Sequence, residues 1–163
     1  MSMVKKAYTV ALLLAVMVLA IAYLGEFIFG VRPCLLCLLQ RYTLVLFAAI
    51  MLLALMHSPH AWGRVVYSGI GLIVCTLGAA LAGRQIWLQH QPLGINAGCL
   101  PDMNFLLQHF TWFKTLTIIL NDPADCQKIH ATFFGFSMAE WSLIAFAVLA
   151  VCCLLALKKQ REI

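Results

Sequence analysis

CLLCLLQRYTLVLFAAIMLLALM, residues 34–56, carries a single charge, Arg41, and is otherwise almost wholly apolar. A helix needs ~20 mostly apolar residues to cross ~30 Å of hydrocarbon, and this stretch is long enough. Three other stretches share its character. Residues 7–25 are charge-free between Lys6 and Glu26, residues 65–83 between Arg64 and Arg84, and residues 141–157 between Glu140 and Lys158. Composition agrees: 64% of the residues are hydrophobic and 10% charged, against about 25% charged in soluble domains. Lipid is the solvent this chain is built for. Strands are excluded, because a lone strand leaves its backbone groups unpaired in lipid and the runs lack the alternation of a barrel. The sequence therefore predicts an all-α membrane protein. It is a four-transmembrane-helix bundle with spans at about 7–28, 35–56, 65–88 and 138–157, forming one domain over 1–163 with a long external loop, 89–137, between helices 3 and 4.

Lys and Arg near the span ends give an orientation. Lys5 and Lys6 precede span one, Arg64 lies between spans two and three, and Lys158, Lys159 and Arg161 follow span four. In a four-span chain these places share one side, and the excess of basic residues assigns it to the cytoplasm, with both termini. Arg32 and Arg84 fall on the other side, so the bias is not absolute. The net charge of +5 is then a topology signal in a lipid-bound chain, not the mark of a nucleic-acid partner. Cleavage of residues 1–22 as a signal peptide is disfavoured, since such apolar cores are usually ~7 to 15 residues and this run is longer.

The loop 89–137 holds most of the polar chemistry, including Cys99 and Cys126 in turn-rich surroundings: Gly98 and Pro101 flank the first, and Asn121, Asp122 and Pro123 precede the second. Residues 104–120 are apolar and aromatic. They read either as a helix at the membrane interface or as a cover packed on the bundle. Ser137-Met138-Ala139-Glu140 matches a capping box, which makes Glu140 a helix-start residue.

The seven cysteines divide by position. Cys75, Cys152 and Cys153 fall within spans and read as small apolar packing residues. Cys34, Cys37, Cys99 and Cys126 fall at the outer side. Cys34-Leu35-Leu36-Cys37 follows Pro33, a residue suited to a helix's first turn, so both sulfurs belong to a helix N-terminus. The partial positive charge there favours a thiolate. So short a disulfide gains little from loop closure, which suits an exchanging pair better than a structural staple. Cys99 and Cys126 close a loop of about 28 residues, worth roughly 3 to 4 kcal/mol on the chain-entropy treatment. Alone they read as structural; beside Cys34 and Cys37 they equally read as a relay. Zinc is disfavoured, because the second half of a ribbon site needs another closely spaced pair.

Arg41 follows Cys37 by one helical turn on the same face. A cation in an apolar span is costly and usually serves a site. It can hold a Cys37 thiolate, bind a carbonyl-bearing ligand, or snorkel to the headgroups. His90, beside Gln85 and Gln89 at the end of span three, is a candidate proton donor. His57, His60, His109 and His130 carry no usable pattern.

Residues 33–41 (Pro33-Cys34-Leu35-Leu36-Cys37-Leu38-Leu39-Gln40-Arg41) closely resemble the DsbB family of bacterial inner-membrane disulfide oxidases. The likeness extends to the four spans, the two-cysteine outer loop, and Phe134-Gly135-Phe136-Ser137-Met138-Ala139-Glu140-Trp141 leading into span four. It implies an oxidoreductase of the inner membrane, with 89–137 periplasmic, that reoxidises the thioredoxin-fold oxidant DsbA. By that resemblance Cys99 and Cys126 meet the partner, Cys99 forming the mixed disulfide, and electrons pass to Cys34 and Cys37. The acceptor is a membrane quinone, ubiquinone or menaquinone, with Cys37, Arg41 and His90 beside it and no metal. Gln40 stands where some members carry an acidic residue, which leaves the proton path open.

Overall fold

The computed structural model describes residues 3–30, 34–57, 61–90 and 135–158, together with 108–109, 111, 113–114, 117 and 132–133. Four long helices dominate: α1 (Met3–Phe29), α2 (Leu35–His57), α3 (Ala61–Gln89) and α4 (Met138–Lys158). All four are long and apolar enough to cross a membrane. The main contacts are α1 on α2 and α4, and α3 on α2 and α4, so the helices close in a ring in chain order. This is the four-helix membrane bundle that the apolar runs predict. α1 and α3 begin about a turn before those runs. The early residues include Lys5, Lys6 and Arg64, whose long stems can lie along apolar surface while the charge stays in water.

The helices are apolar all round, so hydrophobicity alone does not separate inside from outside. Size and shape do. Ala11 and Ala15 of α1, Phe47 and Met51 of α2, Cys75 of α3, and Leu149 and Cys153 of α4 form the buried core. Leu13, Ile21, Met56, Ile73 and Leu155 point outward, where lipid tails would cover them. Cys75 and Cys153 are packing residues, as expected, and Cys152 lies against the same core. At Gly78 the α3 backbone comes so close to α4 that a Cβ would enter the Phe146 ring; small residues at such contacts let membrane helices approach. Tyr8 ties α1 to α3, its hydroxyl sharing a 2.8 Å hydrogen bond with buried Ser68 and donating to the Arg64 carbonyl at 3.0 Å.

A short hairpin leads into α4. β1 (Thr132–Phe133) pairs antiparallel with β2 (Phe136–Ser137), opposing Thr132 to Ser137 and Phe133 to Phe136. Gly135 takes a φ of 81° at the turn, where a side chain would be strained. The capping box forms: the Ser137 amide donates to Glu140 Oε2 at 2.6 Å and the Glu140 amide to Ser137 Oγ at 3.4 Å. Of the apolar segment 104–120, Gln108, His109, Phe113, Lys114 and Thr117 are helical, and Phe113 is exposed. The remainder of that prediction lies outside the described residues, as do Cys99 and Cys126.

Candidate redox site

α2 begins on Cys34. The Cys34 carbonyl accepts the Leu38 amide at 3.1 Å, opening the helical ladder, and its Sγ accepts the Cys37 amide at 3.4 Å. Cys34 thus occupies the N-cap position, with a sulfur where Ser or Asp would place an oxygen. The three-residue spacing returns Cys37 to the same face, and the two sulfurs stand 3.0 Å apart as free thiols. That is hydrogen-bonding distance for a dithiol, and only a small movement separates it from the ~2.05 Å of a disulfide. Both sulfurs also lie within the field of the helix N-terminus, which favours negative charge. Cys34 is buried and Cys37 partly open, so one sulfur is sheltered and its neighbour can be reached. The arrangement can open and close a disulfide with little cost in backbone motion.

Leu35, Leu36 and Leu88 pack beneath the pair, with Leu38, Leu39 and Leu81 around them. Into this apolar nest α3 sends one polar side chain. Gln85 donates from Nε2 to Cys37 Sγ at 3.2 Å and to Cys34 Sγ at 3.5 Å, and its Oε1 accepts from Gln40 Nε2 at 2.8 Å. Sequence reasoning placed Gln85 only as a neighbour of His90 and Gln40 only as a departure from the family pattern. The available signal was that both are uncharged amides inside spans, where a polar group must find a partner.

Arg41 sits one turn below Cys37 and turns toward α1. It pairs with Glu26, donates to the Ala22 carbonyl at 3.1 Å, and lies over the Tyr23 ring at 4.9 Å from its centroid. Its hydrogen bonds among the described residues go to α1, and none goes to the cysteine pair. Glu26, which bounds span one in the sequence, is the partner that makes a partly buried guanidinium tolerable. His90 directly follows α3, exposed, with Nδ1 2.9 Å from the Ile86 carbonyl. A carbonyl only accepts, so Nδ1 is the donor in this contact. Near it Arg84 covers the Trp87 ring at 4.4 Å, a pairing suited to a membrane interface.

The structure therefore brings Cys34 and Cys37 together, adds Gln40 and Gln85, and sets Arg41 alongside. Comparison with known proteins points to a family of disulfide bond formation proteins. Residues 4–156 match the family described as Disulfide bond formation protein DsbB. Disulfide bond formation protein B of Stutzerimonas stutzeri (strain A1501) is 34% identical over 150 residues, covering 92% of this chain and 92% of that protein. The protein of the same name from Nitrosococcus oceani is 32% identical over 148 residues, 91% of this chain and 88% of its own. That from Azoarcus sp. (strain BH72) is 37% identical over 125 residues, 77% of this chain and 75% of its own. A match this long takes in all four apolar helices and the paired thiols at the head of α2, and on it the chain belongs to the DsbB family of multi-pass membrane proteins for disulfide bond formation.

Proposed function

We infer that this protein is a protein-dithiol:quinone oxidoreductase of the bacterial inner membrane, which reoxidises a periplasmic DsbA-like thioredoxin-fold protein. The observation that carries this reading is the pair of sulfurs at 3.0 Å, capping a membrane helix. In this reading 89–137 is periplasmic and both termini are cytoplasmic. The reduced partner gives two electrons and two protons to the Cys99–Cys126 disulfide. Those thiols in turn reduce the Cys34–Cys37 disulfide by exchange, one S–S bond forming as another breaks.

The residues beside Cys37 fit a quinone. A guanidinium held on Glu26 and Ala22, an aromatic ring at Tyr23 and a partly open sulfur present a donor for a carbonyl oxygen, a flat face and a reductant at the lipid edge. When bound, a quinone supplies the terminal acceptor for the two electrons and two protons that leave Cys34 and Cys37. DsbA-type oxidants stand at about −120 mV, so their regeneration calls for an acceptor more oxidising than ordinary thiol pairs. Arg41 holds positive charge where negative charge develops, and the leucines around the pair shelter Cys34 and leave Cys37 partly open. His90 lies at the same end of the bundle and is the proton carrier to the aqueous side in this reading.

The test is to follow quinone absorbance while reduced DsbA is added to the protein in lipid nanodiscs. Turnover with the wild type, and its loss in each of Cys34→Ser, Cys37→Ser, Cys99→Ser and Cys126→Ser, is the expected result. Full turnover with any of the four would break the relay.

A further inference from the structure

Two carboxamides lie in the apolar end of the bundle that holds the cysteine pair, Gln40 on α2 and Gln85 on α3, 5% and 4% exposed. A buried amide costs free energy unless its groups are paired. Gln40 and Gln85 are joined by a 2.8 Å bond, from Gln40 Nε2 to Gln85 Oε1. That bond has a directional consequence. With Oε1 engaged by α2, the Gln85 NH2 group is presented to the sulfurs, 3.2 Å from Cys37 and 3.5 Å from Cys34.

A neutral thiol is a weak acceptor and makes small use of an amide donor. A thiolate is an anion, and a hydrogen bond to an ion is roughly twice as strong as one between neutral groups. One NH2 group within reach of two adjacent sulfurs in an apolar nest is therefore best matched to the state in which one sulfur is charged. The helix N-terminus assists from the other side, with the Cys37 amide on Cys34 Sγ at 3.4 Å.

We propose that Gln85 is a catalytic residue of the exchange, donating its side-chain amide to whichever sulfur of the Cys34–Cys37 pair becomes thiolate. Gln40 is its positioning residue, fixing the amide with nitrogen toward the sulfurs. The assignment deepens the redox reading of the pair and rests on it. In the step itself an incoming thiolate forms an S–S bond to one sulfur of the closed disulfide. The bond between Cys34 and Cys37 breaks, and its electron pair leaves on the other sulfur. Gln85 Nε2–H receives that charge, and no proton moves until afterwards. Once Cys37 is protonated, its S–H has Gln85 Oε1 as an acceptor at 3.6 Å. One side chain serves both states.

The test needs neither quinone nor partner, so its outcome is separate from that of the proposed overall reaction. The full chain with Cys99→Ser and Cys126→Ser is reduced in nanodiscs and treated with iodoacetamide at fixed pH. Labelling is read cysteine by cysteine by mass spectrometry, and thiolate is read from the ultraviolet absorbance lost on alkylation. Gln85→Met, which keeps the length of the side chain and removes its donor, slows Cys37 alkylation by about tenfold and lowers the thiolate absorbance, the scale set by one hydrogen bond to a charged group. Gln40→Leu leaves Gln85 in place but frees its amide to turn, and gives a smaller slowing of the same kind; it decides the matter should Gln85→Met fail to fold. Wild-type rates and absorbance in the variants overturn the proposal. So does slowing accompanied by faster labelling of buried Cys75 and Cys153, which would report a loosened bundle.

Discussion

Arg41 of α2 is ion-paired with Glu26 of α1, and both lie at the end of the bundle that carries the cysteine pair. The same guanidinium takes the Ala22 carbonyl and covers Tyr23, so all three of these partners belong to the last turns of one helix. Arg41 is 14% exposed and Glu26 35%, which sets the pair between a buried bridge and a screened surface one. A double-mutant cycle on Glu26→Gln and Arg41→Gln should give a coupling of about 1 kcal/mol. Thermal unfolding of the four proteins in detergent measures it. Effects that simply add would mean that the pair contributes nothing to holding α1 on α2.

Tyr8→Phe removes the hydroxyl that links α1 to α3 and leaves Ser68, fully buried, without that partner. Hydrogen bonds inside membrane bundles average about 0.6 kcal/mol, and an orphaned buried hydroxyl adds to the loss. A destabilisation of about 1 kcal/mol in the unfolding free energy is the expected outcome. Ser68→Ala in the Tyr8→Phe background should cost little more, because the bond is already gone.

Two glycines of α3 separate close packing from open space. Gly78→Ala drives a methyl into the Phe146 ring, and overpacking of this kind costs about 1 to 3 kcal/mol. Gly83 has no such neighbour, so Gly83→Ala should be neutral or stabilise by up to ~1 kcal/mol through helix propensity. Unfolding midpoints of the two variants should move in opposite directions or, at the least, differ clearly. Equal shifts would contradict the α3–α4 contact.

Ser137→Ala removes one half of the capping box and should cost about 1 kcal/mol. The effect belongs at the start of α4. Hydrogen exchange at the amides of residues 138–141 should quicken while the interior of the helix keeps its protection.

Much of the bundle was readable from the chain because a span must be apolar and helical whatever its neighbours are. The start of α4 was readable too, since Ser137 and Glu140 lie three residues apart on one strand of sequence. The place of Cys34 and Cys37 at a helix N-terminus followed from equally local spacing. What escaped was the partnership between helices. Gln40 and Gln85 are 45 positions apart and Glu26 and Arg41 15 apart, and no periodicity records which faces meet. Glu26 served in the sequence only to end a span, although its charge is what Arg41 needs. Arg41 was open among three roles, and the structure adds a fourth feature, its anchoring on α1, that none of them named.

The central claim is that Cys34 and Cys37 are themselves the redox centre that faces the membrane acceptor. The most direct measurement uses the chain with Cys99→Ser and Cys126→Ser in nanodiscs containing ubiquinone, with dithiothreitol as the reductant and quinone absorbance as the signal. The pair at the head of α2 should suffice: quinone is consumed well above the rate without protein, and Cys37→Ser in that background abolishes the reaction. Consumption that persists undiminished in Cys37→Ser, or that never rises above the protein-free rate, would contradict it.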